Sequence, residues 1–323
     1  MKKIIVLMMM AMLVIGCQEG EVISEENITI ESGIQKSEEV GMLSFESFKE
    51  LNSFVEEYKE ADLLEKAKGF AKQGNYTPLL LVYSLTEEEA GSYNLDKENV
   101  AKVNTQNSML LFLLNKNGEI AIEGKIFRID GDFVYSYTSG NGNDVDTFEE
   151  EYSKGGIKIK EEGTYKYGKD LSVYKHTNYV TEKDASLAGR MTQSGYNYIN
   201  NNLRLRGIQF DEYWWFISFI GSATIVEKKV QILFWSQWVP TASENRLNYD
   251  MGYQVDFVSG GPSLNLITGD DVYQNTSILL RVYRWSFGFP APERYTPSFG
   301  GSLHDTYWGT SPTGNFYDVF LSY

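Results

Sequence analysis

Cysteine, histidine and proline are scarce in this chain of 323 residues, which carries one, two and seven of them respectively. A single cysteine excludes an intrachain disulfide and a thiolate zinc cluster. The fold must therefore be held by burial, and a chain of about 300 residues buries roughly three quarters of its unfolded surface. Two histidines set far apart, His176 and His304, provide no paired-histidine metal motif, and no phosphate-binding glycine loop or dinucleotide fingerprint occurs. The residues call for no cofactor and no metal. Basic residues are also in the minority, 29 against 44 acidic, for a formal charge of −15. Such a surface repels nucleic acid, so nucleic-acid binding is set aside. No apolar run reaches the about 20 residues that a membrane-spanning helix needs.

The longest apolar run present stands at the N-terminus. Lys2 and Lys3 precede thirteen apolar residues, "IIVLMMMAMLVIG", the pattern of a secretory signal peptide over residues 1–16. The run "LVIGC" resembles the lipobox of bacterial lipoproteins, in which aliphatic and small residues precede a modified cysteine. That resemblance implies that Cys17 becomes the first mature residue, carrying acyl chains such as palmitate. Two or more acyl chains anchor stably where one is marginal. The remaining readings are a plain secretory signal with an incidental cysteine, or an uncleaved anchor.

Beyond the leader the charge divides the chain. Residues 1–185 hold 20 basic and 33 acidic side chains, residues 186–323 only 9 and 11. All six tryptophans lie in the second part. Residues 17–40 are acidic and without periodicity, and read as a flexible tether. Residues 41–138 read as an α+β domain. Phe45, Phe48, Leu51, Val55 and Tyr58 recur at helical spacing, and Leu63, Leu64, Ala67 and Phe70 continue the stripe. Ser47 with Glu50, and Thr86 with Glu89, form capping-box patterns. "SMLLFLL", "EIAIEG", "KIFRID" and "FVYSYT" are expected to form a small antiparallel meander with the helices on one face. Residues 139–156 read as a linker or long loop. Asn141, Asn143, Asp144 and Asp146 there suggest calcium, but their spacing does not match an EF-hand loop, and a solvated loop is expected. Residues 157–323 carry many short strand patterns between turn residues, the signature of an all-β sandwich or jelly-roll-like domain.

The lipobox, the acidic tether, the helical "FKELNSFVEEYKE", the phrase "NKNGEIAIEGKIFRID" and the aromatic β domain together look like a group of uncharacterised lipoproteins from Bacteroides-type bacteria. That resemblance implies a lipid anchor in the outer membrane, on its periplasmic or cell-surface face. It brings no activity and no site residues with it.

Chemistry is sparse. Ser302, His304 and Asp305 in "GGSLHD" lack the second glycine of a G-x-S-x-G elbow, and read as incidental polar residues. Asp211 with Glu212, and Asp270 with Asp271, are carboxylate pairs beside aromatic strands, expected in turns, where a glycoside hydrolase could use them. The strand pattern "EYWWFISFIGSAT" alternates with both faces apolar, which requires either cover on both sides or rings exposed for binding. Trp235, Trp238, Trp285 and Trp308, expected at strand ends or in loops, are the candidate ligand-binding residues. The leading expectation is a non-enzymatic envelope protein that binds a partner protein or a glycan. A carboxylate-dependent glycoside hydrolase and a structural adhesin or fimbrial subunit are the alternatives.

Overall fold

In the computed structural model, residues 41–176, 191–232, 235–308 and 315–322 are described, apart from Asn75, Asn94 and residues 96–99. The segments expected as a signal peptide and an acidic tether, with Cys17 between them, lie outside the described residues. The chain is mostly β, in several antiparallel sheets with few helices, and the described residues belong to one compact unit.

The front half opens with β1 (Ser44–Phe45) and α1 (Phe48–Tyr58). Ser47 caps α1 by accepting from the Glu50 amide, while the Glu50 carboxylate takes the amide of Glu46. Then come α2 (Leu63–Lys72), α3 (Leu79–Ser84), α4 (Glu87–Gly91, with the expected Thr86–Glu89 capping box) and α5 (Ser108–Leu113). The helical stripe is core-facing: Phe54, Tyr58, Phe70, Tyr76 and Phe112 pack ring against ring. A strand was expected at "SMLLFLL", yet α5 is helical and all six of its residues are buried. A segment buried on every side shows no periodicity from which to choose its state. Asn107 decides it, accepting from the amides of Met109 and Leu110 as an N-cap.

β2 (Glu119–Ile122), β3 (Lys125–Asp130) and β4 (Phe133–Thr138) form the expected hairpins. Glu123 and Gly124, both at positive φ, make the first turn in the manner of type I′. The segment expected as a linker at 139–156 instead holds α6 (Gly142–Ser153). Its acidic composition masks a real stripe, because Val145 and Phe148 are buried and Tyr152 packs beside them against β4. Asn143, Asp144 and Asp146 are helical residues there, and the described residues contain no group of acidic or histidine side chains able to hold a metal. The sheet then continues beyond the expected boundary. β5 (Gly163–Tyr167) and β6 (Leu171–Lys175) extend it to six strands in the order β1-β2-β3-β4-β6-β5, so residues 163–175 belong with the front half.

The back half has two sheets. The first holds β7 (Met191–Asn200), β8 (Leu203–Tyr213), β9 (Ile217–Ile232) and β10 (Trp235–Pro240), with β13 (Ile278–Phe287) paired to the start of β9. The second runs β12 (Leu264–Thr276), β11 (Ser243–Phe257), β14 (Glu293–Trp308), β15 (Asn315–Ser322). Their inner faces meet through apolar clusters. Leu205 and Val226 pack on Val319 and Leu321, and Ile220 packs on Met251, Tyr253, Val255 and Tyr295. Gly207 permits one close approach, since a Cβ there would stand 2.5 Å from His304 Cδ2.

The aromatic pattern "EYWWFISFIG" is not one strand. β8 ends at Tyr213, β9 starts at Ile217, and Trp214–Phe216 form the turn, closed by the Trp214 amide on the Ile217 carbonyl at 2.7 Å. Trp215 takes φ 63° in this turn. A bulky residue adopts that conformation only when its surroundings impose it.

Candidate functional site

The turn residues Trp214, Trp215 and Phe216 are buried, and the front half covers them. Phe216 stacks on Phe127 of β3 at 4.5 Å. Trp215 lies parallel to Tyr174 of β6 at 5.5 Å and meets Phe289 at 4.5 Å, and its carbonyl accepts from the Ala291 amide. The Trp214 indole donates to Glu212, whose carboxylate also accepts from Thr105 of the front half. These contacts bind the two halves of the chain together. The aromatic turn therefore presents no ring to a ligand.

Trp238 and Trp285 lie within strands, not in loops or at strand ends. Trp235 opens β10 and Trp308 closes β14, and their side chains lie outside the described residues. Trp238 belongs to an aromatic and cationic ladder across four strands. Tyr198 pairs with Arg204, Tyr196 with Arg206, Arg204 with Glu227, and Lys229 with Trp238. The Arg204 guanidinium lies 4.3 Å from the Tyr196 centroid and 4.4 Å from that of Trp238, and Tyr198 meets Trp238 edge-on at 6.0 Å. Glu227 holds the geometry, accepting from Arg204 Nε at 2.5 Å and from Arg206 Nη1 at 3.3 Å. Arg206 also donates to Gln106 of the front half. Tyr196 and Tyr198 remain 43% and 60% exposed, so the ladder is a surface and not a core. It gathers Arg204, Arg206 and Lys229 around one carboxylate on a chain whose net charge is −15. Tyr196, Tyr198 and Arg204 were not among the candidates read from the sequence. The signal was present in "YNYINNNLRLR", where Tyr-x-Tyr and Arg-x-Arg flank an asparagine turn and a hairpin must place them side by side.

Trp285 lines a separate open cleft of about 280 Å³, together with Asn52 of α1 and Tyr283, Arg284, Ser286 and Glu293. Its indole N–H donates to Asn52 Oδ1 at 2.8 Å. Arg284 grips Glu293 with two hydrogen bonds, of 2.9 and 2.7 Å, and the Tyr295 hydroxyl donates a third at 2.8 Å. Partial burial pushes the Glu293 carboxyl up, but these donors outweigh it and hold the group below the usual carboxylate range. Trp285 pairs with Phe219 and Trp238 with Lys229 along the same β9. The two sites thus stand about 33 Å apart at 3.3 Å per residue.

The other candidate groups are built into the structure. Asp211 and Glu212 lie within β8 and are buried; Asp270 and Asp271 lie within β12 and are ion-paired to Arg281 and Arg246. None sits in a turn, because cross-strand pairing absorbs all four. Ser302 and His304 do meet, with Oγ to Nε2 at 2.7 Å. Thr224 stands at Nδ1 at 3.0 Å, and its hydroxyl donates to the Arg246 carbonyl, so it accepts from Nδ1–H. The pair has the geometry of a nucleophile and base but not the access: Ser302 is 1% exposed and His304 0%, sealed between the sheets. Burial pushes the His304 imidazole down to about 3, so it stays neutral.

Neither family models nor curated proteins match the chain. Among solved structures, a DUF4848 family protein from Bacteroides thetaiotaomicron is similar at 10% identity, over 90% of this chain and 99% of that one, with a TM-score of 0.17. A likeness that weak carries no argument about fold or function.

Proposed function

We propose that the chain is a lipid-anchored protein of the bacterial outer membrane. Its two facing back-half sheets form a β-sandwich that binds a partner protein through the ladder of Tyr196, Tyr198, Arg204 and Trp238. The observation that carries the reading is the composition and exposure of that ladder. Tyrosine, tryptophan and arginine are the residues that dominate binding energy at protein interfaces. Here they form a preassembled surface, so little rotamer freedom is lost on contact. The local excess of positive charge, on a chain otherwise acidic, selects a partner with an acidic face and raises the rate of encounter. Anchoring at Cys17 rests on the "LVIGC" pattern and would hold this surface at the membrane.

Binding is favoured over hydrolysis by the state of the carboxylates. A glycoside hydrolase needs one carboxyl group protonated as a general acid. Glu293 is the carboxylate of the open cleft, and its ion pair keeps it charged.

The test is site-specific photo-crosslinking in the native cell, with the reactive side chain at Tyr198 and, as a control, at the exposed Ile267. The expected outcome is one discrete adduct from Tyr198, absent from the control, whose partner has an acidic face and whose yield falls with added salt. Equal adducts from both positions would show that the ladder is not an interface. In parallel, labelling with an alkyne-bearing fatty acid should mark the protein and be lost in Cys17→Ala.

A further inference from the structure

We infer that the Trp285 cleft is a second binding site, separate from the ladder, that takes a single pyranose unit of a glycan. Three features of the cleft converge on that ligand class. First, an indole on a partly exposed strand offers the flat apolar surface on which the C–H face of a sugar ring packs. Second, the groups around it are planar and polar: the Asn52 amide and the Arg284–Glu293 pair. Neighbouring hydroxyls of a sugar present a donor and an acceptor a short distance apart, which a guanidinium edge and a carboxylate edge can meet together. Third, these groups are already fixed. Glu293 is held by Arg284 and Tyr295, and Asn52 is held by the indole itself, so the polar frame need not be ordered on binding.

The composition of the cleft also narrows the ligand. At about 280 Å³ the open cleft lies just below the roughly 300–1,000 Å³ of ligand pockets, which matches contact with a single ring of a glycan. The ion pair makes the polar frame nearly neutral, which favours a neutral hexose over a phosphorylated or acidic one. Lys59, poised over the indole at 5.4 Å, is half-buried and tied to Glu56, and its ammonium can donate to a ring hydroxyl. Asn52 comes from α1 and the remaining lining residues from β13 and β14, so the site exists only when the front and back halves are joined.

Residues 18–323 titrated with glucose, galactose, mannose, rhamnose and N-acetylglucosamine, and followed by saturation-transfer NMR, test the assignment. At least one of these sugars should bind with a dissociation constant on the order of 1 mM. Trp285→Ala and Asn52→Ala should each weaken it tenfold or more, Trp285→Phe should retain part of it, and Tyr198→Ala should leave it unchanged. Circular dichroism and a thermal melt identify any variant that has lost its fold, and Asn52→Ala, on the exposed side of a helix, guards against that outcome. Absence of binding by all five sugars up to roughly 50 mM overturns the inference. So does binding that survives Trp285→Ala. Loss of sugar binding in Tyr198→Ala would move the glycan site to the ladder.

Discussion

Two sets of aromatic residues at opposite ends of one sheet meet opposite fates. Trp214, Trp215 and Phe216 form the β8–β9 turn and are buried beneath the six-stranded sheet of the front half. Tyr196, Tyr198 and Trp238 lie toward the other end of the same sheet, with the two tyrosines open to solvent. Residue type does not separate them; cover does. In the first set the rings replace solvent with partner rings, and in the second an arginine stacked between rings substitutes for missing cover. The first set is adhesive within the molecule and the second is available to another one.

The contrast can be broken in order of effect. Phe216→Ala removes a fully buried ring from the junction and should cost about 3–5 kcal/mol, read as a fall in the urea midpoint. Loss of less than about 1 kcal/mol would mean that the front half does not cover the turn.

The buried His304 gives the next largest effect, and its sign is fixed by its depressed folded value. An unfolded histidine titrates near 6.5, whereas His304 resists protonation until about pH 3. Between those values the unfolded state binds the proton and the folded state does not. Stability is therefore fully present above about pH 6.5 and declines as pH falls toward 3, by several kcal/mol. His304→Asn, whose amide can reach Thr224 at the Nδ1 position but not Ser302, should flatten the pH dependence of the urea midpoint across that window. An unchanged slope would assign the acid sensitivity to carboxylates.

The smallest stability effect belongs to the ladder. Tyr198→Ala and Trp238→Ala remove exposed or half-buried rings and should each cost no more than about 1 kcal/mol, and Trp238→Ala should abolish the crosslink from position 198 proposed above. A large loss of stability in either variant would make the ladder a structural device and erase the distinction from the turn.

Much of the fold is legible where one face of an element is wet. α1 and α2 show their stripes, Thr86–Glu89 shows its capping box, and the β2–β3–β4 hairpins show their turns, because solvent on one side imposes a period. Legibility fails where solvent is absent or where charge obscures the stripe. "SMLLFLL" is buried all round and its helical state rests on Asn107. α6 hides two buried residues, Val145 and Phe148, among acidic ones. The run "YWWF" reads as continuous strand because nothing local marks a turn, and the contacts that hold Trp215 at positive φ come from residues distant in sequence.

For the candidate sites, the sequence names Trp238 and Trp285 as ligand candidates on the expectation of strand ends or loops, yet both lie within strands, and it cannot name their neighbours at all. Asn52 and Glu293, far apart in sequence, meet at Trp285 only when the halves dock. Composition by itself determined the acidity, the absence of disulfides and the predominance of strands in the back half, because those depend on residue counts and alternation. Which aromatic rings are buried and which are offered to a partner was decided only by tertiary structure. Exposure is a property of what packs on a surface, and that information is carried by a different part of the chain.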